Sequence, residues 1–181
     1  MKVKETPLND CYIIEPTIFK DDRGYFFEKF NEKKFEELTG MNGHFVQDNI
    51  SKSSYGVLRG LHLQKGEYAQ AKLVSCLEGR VWDVAVDLRK DSSTFGKWFG
   101  IELTDSNNLQ LYVPRGFAHG FSVLSETAIF SYKCDNYYNR DSEGSVYWND
   151  ADLKIDWKLA IEDIILSEKD KLSSTFKDEN F

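Results

Sequence analysis

The stretch Gly56-Val57-Leu58-Arg59-Gly60-Leu61-His62-Leu63-Gln64 decides how this chain is read. Its apolar residues, following a turn-forming glycine, predict a strand, and strict alternation along it groups His62 with Leu58, Gly60 and Gln64 on one face. Gly60 leaves the backbone open to close approach beside the imidazole, which makes this face a pocket wall. A core histidine bonded to a carbonyl is the alternative for the segment taken alone. A second segment, Pro114-Arg115-Gly116-Phe117-Ala118-His119-Gly120-Phe121, has a Pro-x-Gly turn feeding another strand, and that turn fixes where His119 emerges.

Strand signals continue on both sides. In Val81-Trp82-Asp83-Val84-Ala85-Val86-Asp87-Leu88 the even positions are apolar and the odd ones carry two aspartates, the period-2 pattern of a strand with one dry face. The Gly79-Arg80 pair before it reads as a turn. Similar runs lie at residues 11–14, 71–77, 98–103, 109–113, 117–124 and 127–134, separated by Gly, Asn, Asp and Ser clusters, so a sandwich or barrel of short strands is expected. One peripheral helix is marked by Asn31 as N-cap, Phe30 and Phe35 as a hydrophobic staple, and Gly40 just past its end. After Trp157 the pattern changes to short helical segments lying on a sheet, and residues 173–181 are expected to fray. Without repeats or low-complexity linkers, residues 1–181 read as a single domain.

Composition narrows the function classes. Thirty acidic against 23 basic residues give a net charge of −7, the wrong sign for a nucleic-acid backbone binder. Thirteen Phe, nine Tyr and four Trp are too much core-forming material for a disordered acidic chain. The three cysteines are odd in number and lack CxxC spacing, which points away from a disulfide framework or zinc knuckle and towards a reducing compartment. The N-terminal apolar patch is too short for a signal-peptide core, and no run approaches the ~18 apolar residues of a membrane span. A cytoplasmic protein without a membrane partner is expected.

Two histidines on separate strands, the second after a Pro-x-Gly turn, resemble the paired motifs of the cupin double-stranded β-helix, or jelly-roll, barrel. Metal-binding cupins supply a His-x-His pair from the first motif. Here that motif reads His62-Leu63-Gln64, and an amide is a poor ligand for Zn, Fe or Mn, while His44 lies outside both motifs. No metal is expected, so the cavity works by proton transfer or by binding alone. Imidazole, with an ordinary pKa of ~6.5, suits a general base when a carboxylate orients it. Lys72 opens an apolar strand and is either an oxyanion stabiliser at a pocket rim or a solvated edge lysine. Tyr132 shares the apolar face of Ala128, Phe130 and Cys134, as a proton donor or a hydrogen-bonded core phenol.

Taken together, the segments resemble the dTDP-4-dehydrorhamnose 3,5-epimerase family from about Ile14 to Lys171. The motifs that carry the resemblance include Asp22-Arg23-Gly24-x-Phe26-x-Glu28, Gln47-x-Asn49-x-Ser51, the two histidine segments, Gln70-Ala71-Lys72-Leu73-Val74, Asp83 to Arg89, Tyr132-x-Cys134-x-x-x-Tyr138, Trp148-Asn149-Asp150 and Ser167-x-Lys169-Asp170. The resemblance implies a cofactor-free homodimer acting on a dTDP-4-keto-6-deoxyhexose. It makes His62 the base at carbons 3 and 5, oriented by Asp170, with Lys72 on the enolate oxygen and Tyr132 returning a proton on the opposite face. It also implies Arg23 and Arg59 at the diphosphate, and Glu28, Gln47 and Asn49 around the nucleotide. His119, Glu143 and Lys169 would line the site, and Tyr138 would stack on thymine. Arg23, Phe26 and Glu28 would serve a neighbour's pocket through exchanged N-terminal strands. One departure is Lys158, where the family often has proline after the tryptophan.

The alternatives are an epimerase of carbon 3 or carbon 5 alone in another deoxysugar pathway, a metal-dependent cupin oxygenase, and a non-catalytic sugar-nucleotide binding module. Gln64 argues against the oxygenase, and the joint presence of His62, Lys72 and Tyr132 against binding alone.

Overall fold

The computed structural model describes residues 1–178. Its strands are β1 (Lys2–Glu5), β2 (Tyr12–Glu15), β3 (Phe19–Asp21), β4 (Gly24–Phe26), β5 (Gln47–Ser54), β6 (Leu58–Gln64), β7 (Lys72–Glu78), β8 (Arg80–Asp87), β9 (Trp98–Thr104), β10 (Gln110–Val113), β11 (Phe117–Val123), β12 (Thr127–Cys134) and β13 (Glu143–Ser145). The helices are α1 (Glu32–Thr39) and α2 (Glu168–Lys171). A six-stranded sheet in the order β1-β2-β10-β7-β12-β5 and a five-stranded sheet in the order β13-β6-β11-β8-β9 form a jelly-roll barrel. Strands β3 and β4 make a separate hairpin. The expected mainly-β cupin architecture is what the chain adopts, with every strand anticipated from an apolar run found within one or two residues of its place.

Three apolar layers hold the fold. Between the sheets, Val74, Leu111, Phe117, Phe121 and Phe130 interdigitate. On the outer face of the five-stranded sheet, Leu61, Val84, Val86 and Ala118 are covered by Val146, Trp148, Leu153 and Trp157. On the outer face of the larger sheet, Phe35 of α1 packs over Ile14, Leu73 and Tyr112. The helix forms as its sequence predicts. Asn31 accepts from the Lys34 N–H at 3.1 Å, Gly40 closes the helix in the left-handed conformation at φ +70°, and the Phe30 and Phe35 rings lie 6.0 Å apart.

The layering overturns the expectation of one dry face on β8. Val84 and Val86 face the outer layer while Val81 and Ala85 of the other row face the inter-sheet core, and Asp83 and Asp87 on that inward row are both 0% exposed. A buried carboxylate is tolerated when it is paired. Asp87 accepts from Arg89, Ser92 and Thr94, and Asp83 pairs with His119.

Residues 173–178 are docked rather than frayed. The Tyr147 N–H donates to the Ser174 carbonyl at 2.7 Å, the Phe176 N–H donates to Asp150 at 2.8 Å, and the Phe176 ring lies against Phe95. The remainder of that stretch, 179–181, lies outside the described residues. Lys158 adopts φ +59°, a conformation closed to proline, whose ring holds φ near −65°.

Candidate active site

Strand β6 carries one residue more than its neighbour. His119 pairs with His62 and Phe121 with Arg59, so two steps along β11 span three along β6. This bulge breaks the alternation, and Arg59 and His62, three apart, both line one cavity of about 370 Å³ while Leu61 and Leu63 pack into the outer layer. The expected grouping of His62 with Leu58 and Gly60 is thereby corrected, whereas Gln64, beyond the bulge and in unbroken register with β13, keeps the face of His62. Gly60 sits at φ +130°, where a Cβ would come within 2.6 Å of the Gly120 Cα, so what approaches it is the neighbouring strand. Gln64 accepts from the Asn139 N–H at 3.0 Å and anchors the loop after β12.

His62 is held from the C-terminal segment. Reciprocal backbone bonds, Leu58 N–H to the Ile165 carbonyl and Ile165 N–H to the Gly56 carbonyl, lay residues 165–167 along β6. Ser167 then caps α2 by accepting from the Asp170 N–H, and its hydroxyl donates to Asp170 Oδ2 at 2.8 Å. The other oxygen, Oδ1, lies 2.5 Å from His62 Nε2. Burial alone would raise the Asp170 pKa. The hydrogen bond from His62, its charge, Ser167 and Lys169 outweigh that and hold the carboxyl below its ordinary range. A carboxylate can only accept, so Nε2 carries the imidazole proton and Nδ1 keeps the lone pair. The neighbouring carboxylates are engaged elsewhere, Glu168 with Lys171 and Asp163 with the Tyr55 hydroxyl.

Lys72 and Tyr132 line the same cavity. Burial pushes the Lys72 pKa down, partly countered by Cys134 and Asp83, and no ion pair or hydrogen bond engages its ammonium among the described residues. It is a desolvated cation with no ion-pair partner among the described residues, suited to a developing negative charge. Burial pushes the Tyr132 phenol up, with Cys134 adding to the rise and Arg59 opposing it, so the hydroxyl stays protonated and can donate. Phe121 and Phe130, stacked 4.1 Å apart, also line the cavity. His119 completes that wall, with Nε2 2.9 Å from Asp83 Oδ2.

A polar row runs along one face of β5: Gln47, Asn49, Ser51 and Ser53. Asn49 is the register partner of Tyr132, and Ser53 Oγ accepts from Arg59 Nε at 3.2 Å and Nη2 at 3.1 Å. Gln47 donates to Asn49 and accepts from the Tyr138 N–H, which ties Tyr138 to this row. Glu143 is register partner to Gln64 and forms an ion pair with Lys169, whose hydrogen bond and charge hold the carboxyl low. Arg23, Phe26 and Glu28 do not reach the cavity of their own chain. Arg23 pairs with Asp21 on the hairpin, Phe26 is 70% exposed, and Glu28 is bonded to Lys34 and Asn31 at the start of α1.

Asp83, Ser167 and Ser53 act on site residues yet were not anticipated. Asp83 had a signal, a carboxylate in an otherwise apolar strand, and Ser167 had the spacing of a capping box with Asp170. Among the described residues, no three His, Cys, Asp or Glu side chains converge as a metal site.

A cavity offering an oriented imidazole, a phenol and a desolvated lysine can move protons on carbons beside a carbonyl. Comparison with known proteins agrees. The sequence model of the dTDP-4-dehydrorhamnose 3,5-epimerase family matches residues 5–178. The chain is 56% identical over 160 residues to the dTDP-4-dehydrorhamnose 3,5-epimerase of Salmonella typhimurium, covering 88% of this chain and 87% of the relative. Among solved structures, the same-named protein of Elizabethkingia anophelis is 76% identical with a TM-score of 0.98, over 100% of this chain and 99% of that one. The dTDP-6-deoxy-D-glucose-3,5-epimerase of Legionella pneumophila, in complex with dTDP-4-keto-L-rhamnose, is 49% identical with a TM-score of 0.93, over 97% and 93% of the two chains.

Proposed function

The chain belongs to the dTDP-4-dehydrorhamnose 3,5-epimerase family, and from that membership we propose how its residues carry out the family's reaction. The enzyme is an isomerase that converts dTDP-4-dehydro-6-deoxy-D-glucose to dTDP-4-dehydro-β-L-rhamnose, a step of dTDP-L-rhamnose biosynthesis. The 4-keto group acidifies the protons on carbons 3 and 5, so no cofactor is required. His62 Nδ1 removes each proton in turn, and Asp170 stabilises the imidazolium that forms. Lys72 stabilises the enolate oxygen. Tyr132 delivers a proton to the opposite face and inverts the centre. The observation that carries this reading is the convergence of His62, Lys72 and Tyr132 on one cavity.

Arg59 binds the diphosphate through its planar donor fork, held ready by Ser53. Gln47 and Asn49 contact the nucleotide, Tyr138 stacks on thymine, and His119, Glu143 and Lys169 complete the pocket. Although the chain is acidic overall, Arg59, Lys72 and Lys169 gather at the cavity and supply local positive charge for an anionic substrate. The active form is a homodimer in which the exposed hairpin, with Arg23 and Phe26, and the adjoining Glu28 close the neighbour's pocket. Support for this is the exposure of Phe19 (62%), Tyr25 (60%) and Phe26 (70%) on a hairpin clear of its own site. Residues 1–181 act as one catalytic domain, and the three free thiols suit the cytoplasm.

Incubation with the 4-keto sugar nucleotide in deuterated water, followed by NMR, tests the reading. Solvent deuterium is expected at carbons 3 and 5. Deuterium at one carbon only would make the enzyme a single-site epimerase, and deuterium at neither would leave a binding module.

A further inference from the structure

Asp83 is 0% exposed, yet only one of its oxygens is used: Oδ2 meets His119 Nε2 at 2.9 Å, and Oδ1 has no hydrogen-bond partner among the described residues. An unpaired buried carboxylate oxygen is costly, and an apolar side chain at that place in β8 would avoid the penalty. The compensation lies in what Asp83 imposes on His119. A carboxylate accepts and cannot donate, so the ring proton sits on Nε2 and Nδ1 holds the lone pair. The His119 side chain is 7% exposed, it lines the catalytic cavity, and no described residue is bonded to its Nδ1.

We propose that Asp83 is a positioning residue: by fixing the His119 proton on Nε2, it presents Nδ1 as a hydrogen-bond acceptor on the cavity wall for a hydroxyl of the sugar. This rests on the epimerase reading, in which the substrate ring carries hydroxyls only at carbons 2 and 3, because carbon 4 is a ketone and carbon 6 a methyl. The acceptor on β11 stands across the ladder from the base on β6, so a hydroxyl bound there sets the angle at which a neighbouring C–H meets His62. The two pairs are built alike and work differently. The His62 ring is 37% exposed and its carboxylate is fully bonded through Ser167, which suits a group that gains and loses a proton. The His119 pair is sealed, which suits a group held in one orientation.

The first test needs no substrate. Nitrogen-15 spectra of histidine-labelled free enzyme are expected to show His119 in the Nε2–H tautomer, and an Nδ1–H ring would overturn the proposal. The second uses Asp83→Asn, whose amide can donate as well as accept and so releases the ring. The expected loss is roughly 3- to 10-fold in kcat, with KM within about threefold, the scale of one hydrogen bond between neutral groups. In a His119→Asn background the same change is expected to alter kcat by less than about twofold, because the coupling runs through the ring. Equal losses in both backgrounds would show that Asp83 acts through the fold instead. Should Asp83→Asn fail to fold, the tautomer spectrum decides alone, and deuterium exchange by the wild type judges the epimerase reading separately.

Discussion

His62 and His119 are register partners across the β6–β11 ladder, and each turns Nε2 to a carboxylate of its own, Asp170 at 2.5 Å and Asp83 at 2.9 Å. One cavity wall thus holds two imidazoles whose carboxylates come from opposite sides: Asp170 from the C-terminal helix laid over β6, Asp83 from the next strand of the same sheet. The His62–Asp170 pair therefore joins β6 to the C-terminal segment, and Ser167, the cap of α2, is bonded to its carboxylate.

That connection can be measured. His62→Asn is expected to abolish exchange at both carbons while nucleotide binding stays within several-fold. Ser167→Ala removes the hydroxyl that both caps α2 and donates to Asp170, and is expected to lower kcat roughly 3- to 10-fold with KM unchanged. Wild-type kcat in Ser167→Ala would mean that Asp170 is oriented without its cap.

Tyr132→Phe separates proton removal from proton return. The base is intact, so solvent deuterium should still enter the substrate, with retention, while epimerised product forms roughly 10²- to 10⁴-fold more slowly. A quantitative comparison of washed-in deuterium with inverted product by NMR reads both. Parallel loss of the two would place Tyr132 in substrate binding.

Lys72 should trade stability for activity. Burial disfavours its charged form, Cys134 and Asp83 oppose that only in part, and no ion pair engages it among the described residues. The folded pKa is therefore depressed, and the penalty is full below that pKa and fades as the pH rises towards the unfolded value of ~10.4. Lys72→Met is expected to lose about 10²- to 10³-fold in kcat while gaining on the order of 1 kcal/mol at neutral pH, ~2–4 °C in Tm. Calorimetry showing a lower Tm would contradict the account of an uncompensated cation.

Much of the barrel was legible because its strands bury apolar side chains in short runs bounded by turn residues, as Val81 to Leu88 and Thr127 to Cys134 do. Strand β5 was not, because its inward row of Gln47, Asn49, Ser51 and Ser53 is polar, with Ser51 lining the cavity, so no apolar alternation marks it. Periodicity also misjudged Asp83 and Asp87. A charged residue in a strand reads as a wet face, and only the tertiary partners His119 and Arg89 make burial tolerable. The residue count through Gly60 was misread for a related reason, since a bulge reverses the parity that alternation assumes. His62, Lys72 and Tyr132 were legible as chemistry, but their convergence depends on the pairing of non-consecutive strands.

The linkage of Asp170 to stability has a definite sign. Its folded pKa lies below the unfolded value of ~3.9, so its contribution is complete above that value and is lost as the pH falls through the folded one. Asp170→Asn is expected to be about 1–3 kcal/mol less stable than wild type at pH 7, with the gap closing below about pH 4. Urea unfolding across that range checks it, and a gap independent of pH would assign the loss to packing.

The exposed hairpin predicts complementation between two inactive variants. If the Arg23 guanidinium, which pairs with Asp21 on the hairpin and does not line its own cavity, binds substrate in the neighbour's site, then Arg23→Ala damages the partner's pocket and His62→Asn damages its own. In a heterodimer of the two, both lesions fall on one site and the other site is intact. Half the dimers in an equal, fully exchanged mixture are such heterodimers, each with one working site, so about a quarter of wild-type activity is expected to return. Each variant assayed alone stays near its own low level. If Arg23 instead served its own chain, each site in every dimer would keep one lesion and mixing would restore nothing, so the activity of the mixture against that of the separate variants decides which subunit the hairpin serves.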